Sequence, residues 1–75
     1  MNIQGIDRFV KRRPFRPFIL RESSGEAHRV ISLESIKVLP KLDLIVIFTA
    51  DGDLIMVGAD QITAASYVAT RDTKP

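Results

Sequence analysis

The 75-residue chain is predicted to be mainly β, with one N-terminal α-helix leading into a small curled antiparallel sheet or barrel. Three observations carry this prediction. Apolar residues recur at helical spacing only as far as Pro14, and beyond it they alternate or run continuously in short segments. Turn signals at Ser23-Ser24-Gly25, Pro40-Lys41-Leu42-Asp43, Asp51-Gly52 and Gly58-Ala59-Asp60-Gln61 divide those segments at short intervals. An apolar share of 45% with no cysteine fits one core that closes without disulfides.

Each element follows from local chemistry. Asn2 is placed to cap a helix over 3–12, in which Ile3, Ile6, Phe9 and Val10 form one apolar stripe. Pro14 ends it, because the residue before proline is pushed out of the helical region. Pro14 and Pro17 force an extended chain into a strand over 15–22, and two missing backbone donors suit a sheet edge. Gly25 turns that strand into a partner over 26–33. A third strand over 35–39 stops at Pro40. Leu44-Ile45-Val46-Ile47-Phe48 is apolar at every position, so the strand over 44–49 is expected at the centre of its sheet. Asp51-Gly52 is a hairpin signal, since its turn needs positive φ, and it leads to a strand over 53–57. A tight turn at 58–61, read as a single 3₁₀ turn, precedes a last strand over 62–68. The expected core is Ile6, Phe9, Phe18, Leu20, Val30, Val38, Val46, Phe48, Ile55 and Ile62. Residues 1–69 read as one domain and 70–75 as a polar tail expected to be disordered.

Charge is unevenly spread. Residues 1–21 hold Arg8, Lys11, Arg12, Arg13, Arg16 and Arg21 against Asp7 alone, while the remainder holds five basic and eight acidic side chains. A basic block attracts phosphate or an acidic protein, although a solvated helix face gives the same pattern. No stretch approaches the roughly 18 apolar residues of a membrane span. No secretory leader pattern is visible, and the lack of cysteine agrees with a reducing compartment, so a cytoplasmic protein is expected.

Pro14-Phe15-Arg16-Pro17-Phe18-Ile19-Leu20 followed by Ser24-Gly25 resembles the opening RPFxPF motif of a group of small bacterial proteins of unknown function. Val30 to Val38 resembles that group's next block, with Glu34 matching and Ser32-Leu33 standing where the group carries His-Pro. Asp60-Gln61-Ile62-Thr63 resembles its closing block, with Gln61 in place of histidine. The element order is also similar to Sm-like barrels of the SH3 type. That resemblance implies a closed small barrel, but Val57-Gly58-Ala59-Asp60 lacks the basic residue such proteins place before the last strand.

Catalytic chemistry finds no footing in the sequence. His28 is the only histidine, and between Ala27 and Arg29 on a hairpin strand it reads as exposed. Ser23 and Ser24 belong to a turn. Asp51 and Asp53 flank a hairpin glycine without the further oxygen ligands a metal loop needs, and no glycine-rich phosphate loop occurs. Phe9, Phe18 and Phe48 are expected in the core, leaving Phe15 and Tyr67 as the aromatics open to contact. No enzyme activity, metal or other cofactor is expected. The preferred reading is a non-enzymatic interaction module that binds a protein partner or forms a homo-oligomer, because a small sheet has open edges and a marginal core. The alternative is a nucleic-acid-binding Sm-like barrel that uses Arg8, Lys11, Arg12, Arg13, Arg16 and Arg21.

Overall fold

A computed structural model describes residues 1–68. The helix α1 (Ile3–Lys11) is followed by β1 (Phe18–Glu22), β2 (Ala27–Val30), β3 (Ile36–Leu39), β4 (Leu44–Phe48), β5 (Leu54–Gly58) and β6 (Ile62–Tyr67). Single 3₁₀ turns sit at Leu33–Ser35, Pro40–Leu42 and Ala59–Gln61. The protein is thus mainly β behind one N-terminal helix, as the sequence predicts. The expected tail at 70–75 lies outside the described residues.

The strands do not close into a barrel. They form two antiparallel three-stranded sheets, ordered β2-β1-β6 and β3-β4-β5. The 3₁₀ turns at Leu33–Ser35 and Ala59–Gln61 lie where the chain passes from one sheet to the other. Ser32 fixes the first of them, its carbonyl accepting from both the backbone N–H (3.1 Å) and the hydroxyl (2.7 Å) of Ser35. For this reason the second strand stops at Val30 instead of running on to residue 33. The first strand likewise begins at Phe18 instead of residue 15, because neither Pro14 nor Pro17 brings a backbone donor.

Both hairpin loops are built alike. Gly25 donates to the Glu22 carbonyl and Gly52 to the Thr49 carbonyl, and the flanking Glu22–Glu26 and Thr49–Asp53 backbone bonds close each loop at 2.8 and 2.9 Å. Gly25 (φ 101°) and Gly52 (φ 91°) hold the left-handed position of a three-residue bulged loop, the conformation the Asp51-Gly52 signal called for.

The inward faces of both sheets meet under α1. Asn2 caps the helix by accepting from the Gln4 N–H at 2.7 Å, and the Met1 ammonium donates to the carbonyls of Ala59 and Ile62. Ile6 is fully buried, and Ile3, Phe9 and Val10 pack beside it. The core comprises Ile6, Phe18, Leu20, Val30, Ile36, Ile45, Ile47, Val57, Ala59 and Ile62. Each large apolar side chain among these contributes about 1.5–3 kcal/mol by leaving water.

Two core expectations fail, and both lie on β4. Ile45 and Ile47 point inward, while Phe48 points outward and is 42% exposed, with Val46 on its side. In a strand apolar at every position, alternation gives no sign of which face is buried, and a one-residue shift exchanges the faces. Val38 and Ile55 are partly buried against the core, on the sides expected of them.

Candidate functional site

Pairing registers define what each sheet shows on its outer face. In the β2-β1-β6 sheet, Ile19 lies opposite Arg29 and Ser66, and Arg21 opposite Ala27 and Ala64. Apart from Ile19, which is half-buried between Arg29 and Ser66, this face is charged or small. In the β3-β4-β5 sheet, Val46 lies between Lys37 and Met56, Phe48 opposite Leu54, and Leu44 between Leu39 and Gly58. Six apolar side chains and one lysine therefore make up the second outer face. Leu54 is 55% and Met56 60% exposed, and Leu42, in the turn leading into β4, is 68% exposed. No described element packs against that face, since α1 lies over β3 and the Ala59–Gln61 turn on the core side. The sequence carried the signal: β4 and β5 read LIVIF and LIMVG, apolar on both faces, while the described residues offer a single short α-helix to cover one of them.

An open cleft of about 620 Å³ lies beside this sheet, lined by His28, Ile31, Glu34, Ile47, Phe48 and Ile55 among others. His28 is not the exposed strand residue the sequence implied. It lies opposite Leu20 on the inward face and is only 9% exposed, because alternation along β2 places it in line with Val30. Its Nε2 lies 2.9 Å from Oε2 of Glu22, and the Ser24 hydroxyl donates to the other carboxylate oxygen at 3.0 Å. The His28 hydrogen bond, and then that from Ser24, hold the Glu22 carboxyl below its usual value. Glu26 brings a third ligand-type group, so that ligand atoms of Glu22, Glu26 and His28 lie within 4.8 Å of one another. The carboxylate and imidazole already satisfy each other there, which explains how a histidine is buried without an orphaned polar atom. Ser35, at the cleft wall, donates to a backbone carbonyl and not to a base.

The six basic residues singled out from the sequence have different surroundings. Lys11 pairs with Asp7 one turn away at 2.9 Å. Arg13 donates from Nη1 to the carbonyls of Val10 and Arg12 and so closes the helix C-terminus. Arg12 and Arg16 both lie over the Tyr67 ring, at 5.3 and 4.4 Å from its centroid. Tyr67 packs in turn on Phe9 at 4.8 Å, and Phe15 on Phe18 at 6.0 Å, so the two aromatics left open by the sequence belong to the core margin. Arg8 is exposed on α1. Arg21 is exposed on the outer face of the first sheet, towards its hairpin tip and away from the Phe18–Tyr67 rung. Only Arg12 and Arg16 are brought to a common partner.

Comparison with known proteins gives no match to any family model, curated protein or solved structure. Among the described residues, no helix is long and apolar enough to cross a membrane.

Proposed function

We propose that this chain is a non-enzymatic interaction module whose docking surface is the outer face of β3-β4-β5. The observation that carries the reading is the apolar set on that face, exposed at Phe48, Leu54 and Met56 and half-buried at Leu39, Leu44 and Val46, with Lys37 as its one charged member. Contiguous exposed apolar patches are uncommon on monomeric proteins and mark places where another surface docks. The Glu22 carboxylate is paired with His28, and the Ser24 and Ser35 hydroxyls are held in local hydrogen bonds, which favours binding over catalysis. The dispersal of the basic side chains favours a protein surface over nucleic acid as the partner, because phosphate binding gains from cations that follow one track.

An environment-sensitive apolar dye tests this reading. In dilute solution it binds the chain and brightens. Met56→Lys or Leu54→Lys removes most of that signal, whereas Ser66→Lys on the other sheet leaves it. Equal dye binding by all four proteins would place the accessible apolar surface elsewhere and refute the reading.

A further inference from the structure

We infer that the occupant of the β3-β4-β5 face is a second copy of this chain, packed sheet on sheet about a two-fold axis; this rests on the docking face proposed above. Three features select a second copy over a foreign protein. The first is chemical. Partners chosen from many are specified by charges and hydrogen bonds, and homodimer contacts are the more apolar class. This face offers six apolar side chains and Lys37 alone, whose aliphatic stem can lie along its apolar neighbours.

The second feature is shape. A twisted three-stranded face is matched by another of the same twist, as in sandwiches whose sheets lie about 10 Å apart. A two-fold axis brings the identical face, and self-complementary two-fold contacts are the commonest form of assembly. The third feature is size. Strands of four or five residues at normal spacing give a face at most about 16 Å long and about 14 Å across. Its plan area of about 220 Å² per copy is small beside the roughly 800 Å² that a standard interface buries per partner, so the contact belongs to the weak, transient class. The dimer should therefore come apart on dilution. It would also supply what a 75-residue chain without cysteine lacks, a staple for a small core.

Sedimentation of the full chain over a wide concentration range, run beside the dye assay, tests the inference. The expected result is a monomer–dimer equilibrium in which dye signal per chain rises as the dimer dissociates. Met56→Lys should raise the dissociation constant at least about 30-fold, the effect of placing a charge where a large exposed apolar contact was. Leu54→Glu, at another exposed position, should do the same, with far-ultraviolet circular dichroism unchanged in both. Ser66→Lys should leave the dimer intact. A monomer at every concentration that still binds dye through Met56 and Leu54 would overturn the second copy while leaving the docking face standing. A monomer that binds no dye would overturn both. A dimer insensitive to Met56→Lys and Leu54→Glu would place the contact at another surface and overturn the inference.

Discussion

The two sheets obey one rule on their inner faces and opposite rules on their outer ones. Inside, Phe18, Leu20 and Val30 of the first sheet meet Ile36, Ile45, Ile47 and Val57 of the second. Outside, the first sheet alternates as a half-buried sheet should, with Arg21 and Arg29 facing water beside Ala27, Ala64 and Ser66 and Ile19 as its one large apolar residue. The second sheet repeats apolar residues on the outer face of β4 and β5. A sheet apolar on both faces is the composition of a middle layer, yet the described chain supplies a layer on one side only. That difference supports the proposed docking face more than any single residue does.

Substitution along β4 breaks this comparison most sharply. Ile47→Ala removes an inward side chain that is 2% exposed and should cost about 2–5 kcal/mol. Phe48→Ala, measured by denaturant unfolding at a concentration low enough to keep the chain monomeric, should cost less than about 1 kcal/mol. The reverse order would mean that β4 is inverted and that its outer face is Ile45 and Ile47.

The same strand shows how much the sequence made legible. In Phe18-Ile19-Leu20-Arg21 the arginine marks the outward side, so the inward side was readable, and Phe18 and Leu20 are buried. The helix stripe, its Asn2 cap, the hairpin glycines and the central place of β4 were readable for similar local reasons. Leu44–Phe48 has no polar residue to point outward, so strand and position could be read but the face could not. His28 was misread although alternation with Val30 puts it on the inward face; the partner that satisfies it there, Glu22, becomes its neighbour only through the hairpin register. The basic block was legible as composition. Its division among Asp7, the helix end and Tyr67 depends on where α1 ends and on where β6 brings Tyr67 beside Phe9.

The hairpin loops sharpen the comparison at a smaller scale, because here the two sheets match. Gly52→Val and Gly25→Val each force a branched side chain to positive φ with nothing packed against the new atoms. Each should lower stability by about 1–3 kcal/mol in thermal or denaturant unfolding. A loss at only one of them would show that the two loops are not equivalent.

The first sheet should respond to acid through Glu22. Its carboxyl is held below the ordinary value of 4.5, first by His28 and then by Ser24. A lowered folded-state value means stability that is present above about pH 4.5 and lost as pH falls through the folded value. Glu22→Gln should therefore melt below the wild type at neutral pH, with the gap closing as the solution is acidified past that point. A gap that stays constant from pH 7 to pH 3 would show that the His28 pairing contributes nothing. The smallest effect belongs to the basic end. Arg16→Gln should cost about 0.5–1 kcal/mol through its lost stacking on Tyr67, and neither it nor the wild type should bind short single-stranded nucleic acid near physiological salt. Binding with a steep salt dependence would revive the nucleic-acid reading.

Because the chain has no cysteine, one introduced thiol can report on each outer face separately. Met56→Cys and Ser66→Cys present it on the second and first sheets, and a short bifunctional thiol reagent joins only thiols that face each other across a contact. Met56→Cys should give a covalent dimer whose yield falls on dilution, while Ser66→Cys stays monomeric under the same treatment. Equal yields from the two positions, or a dimer from Ser66→Cys alone, would contradict the assignment of the docking face to β3-β4-β5.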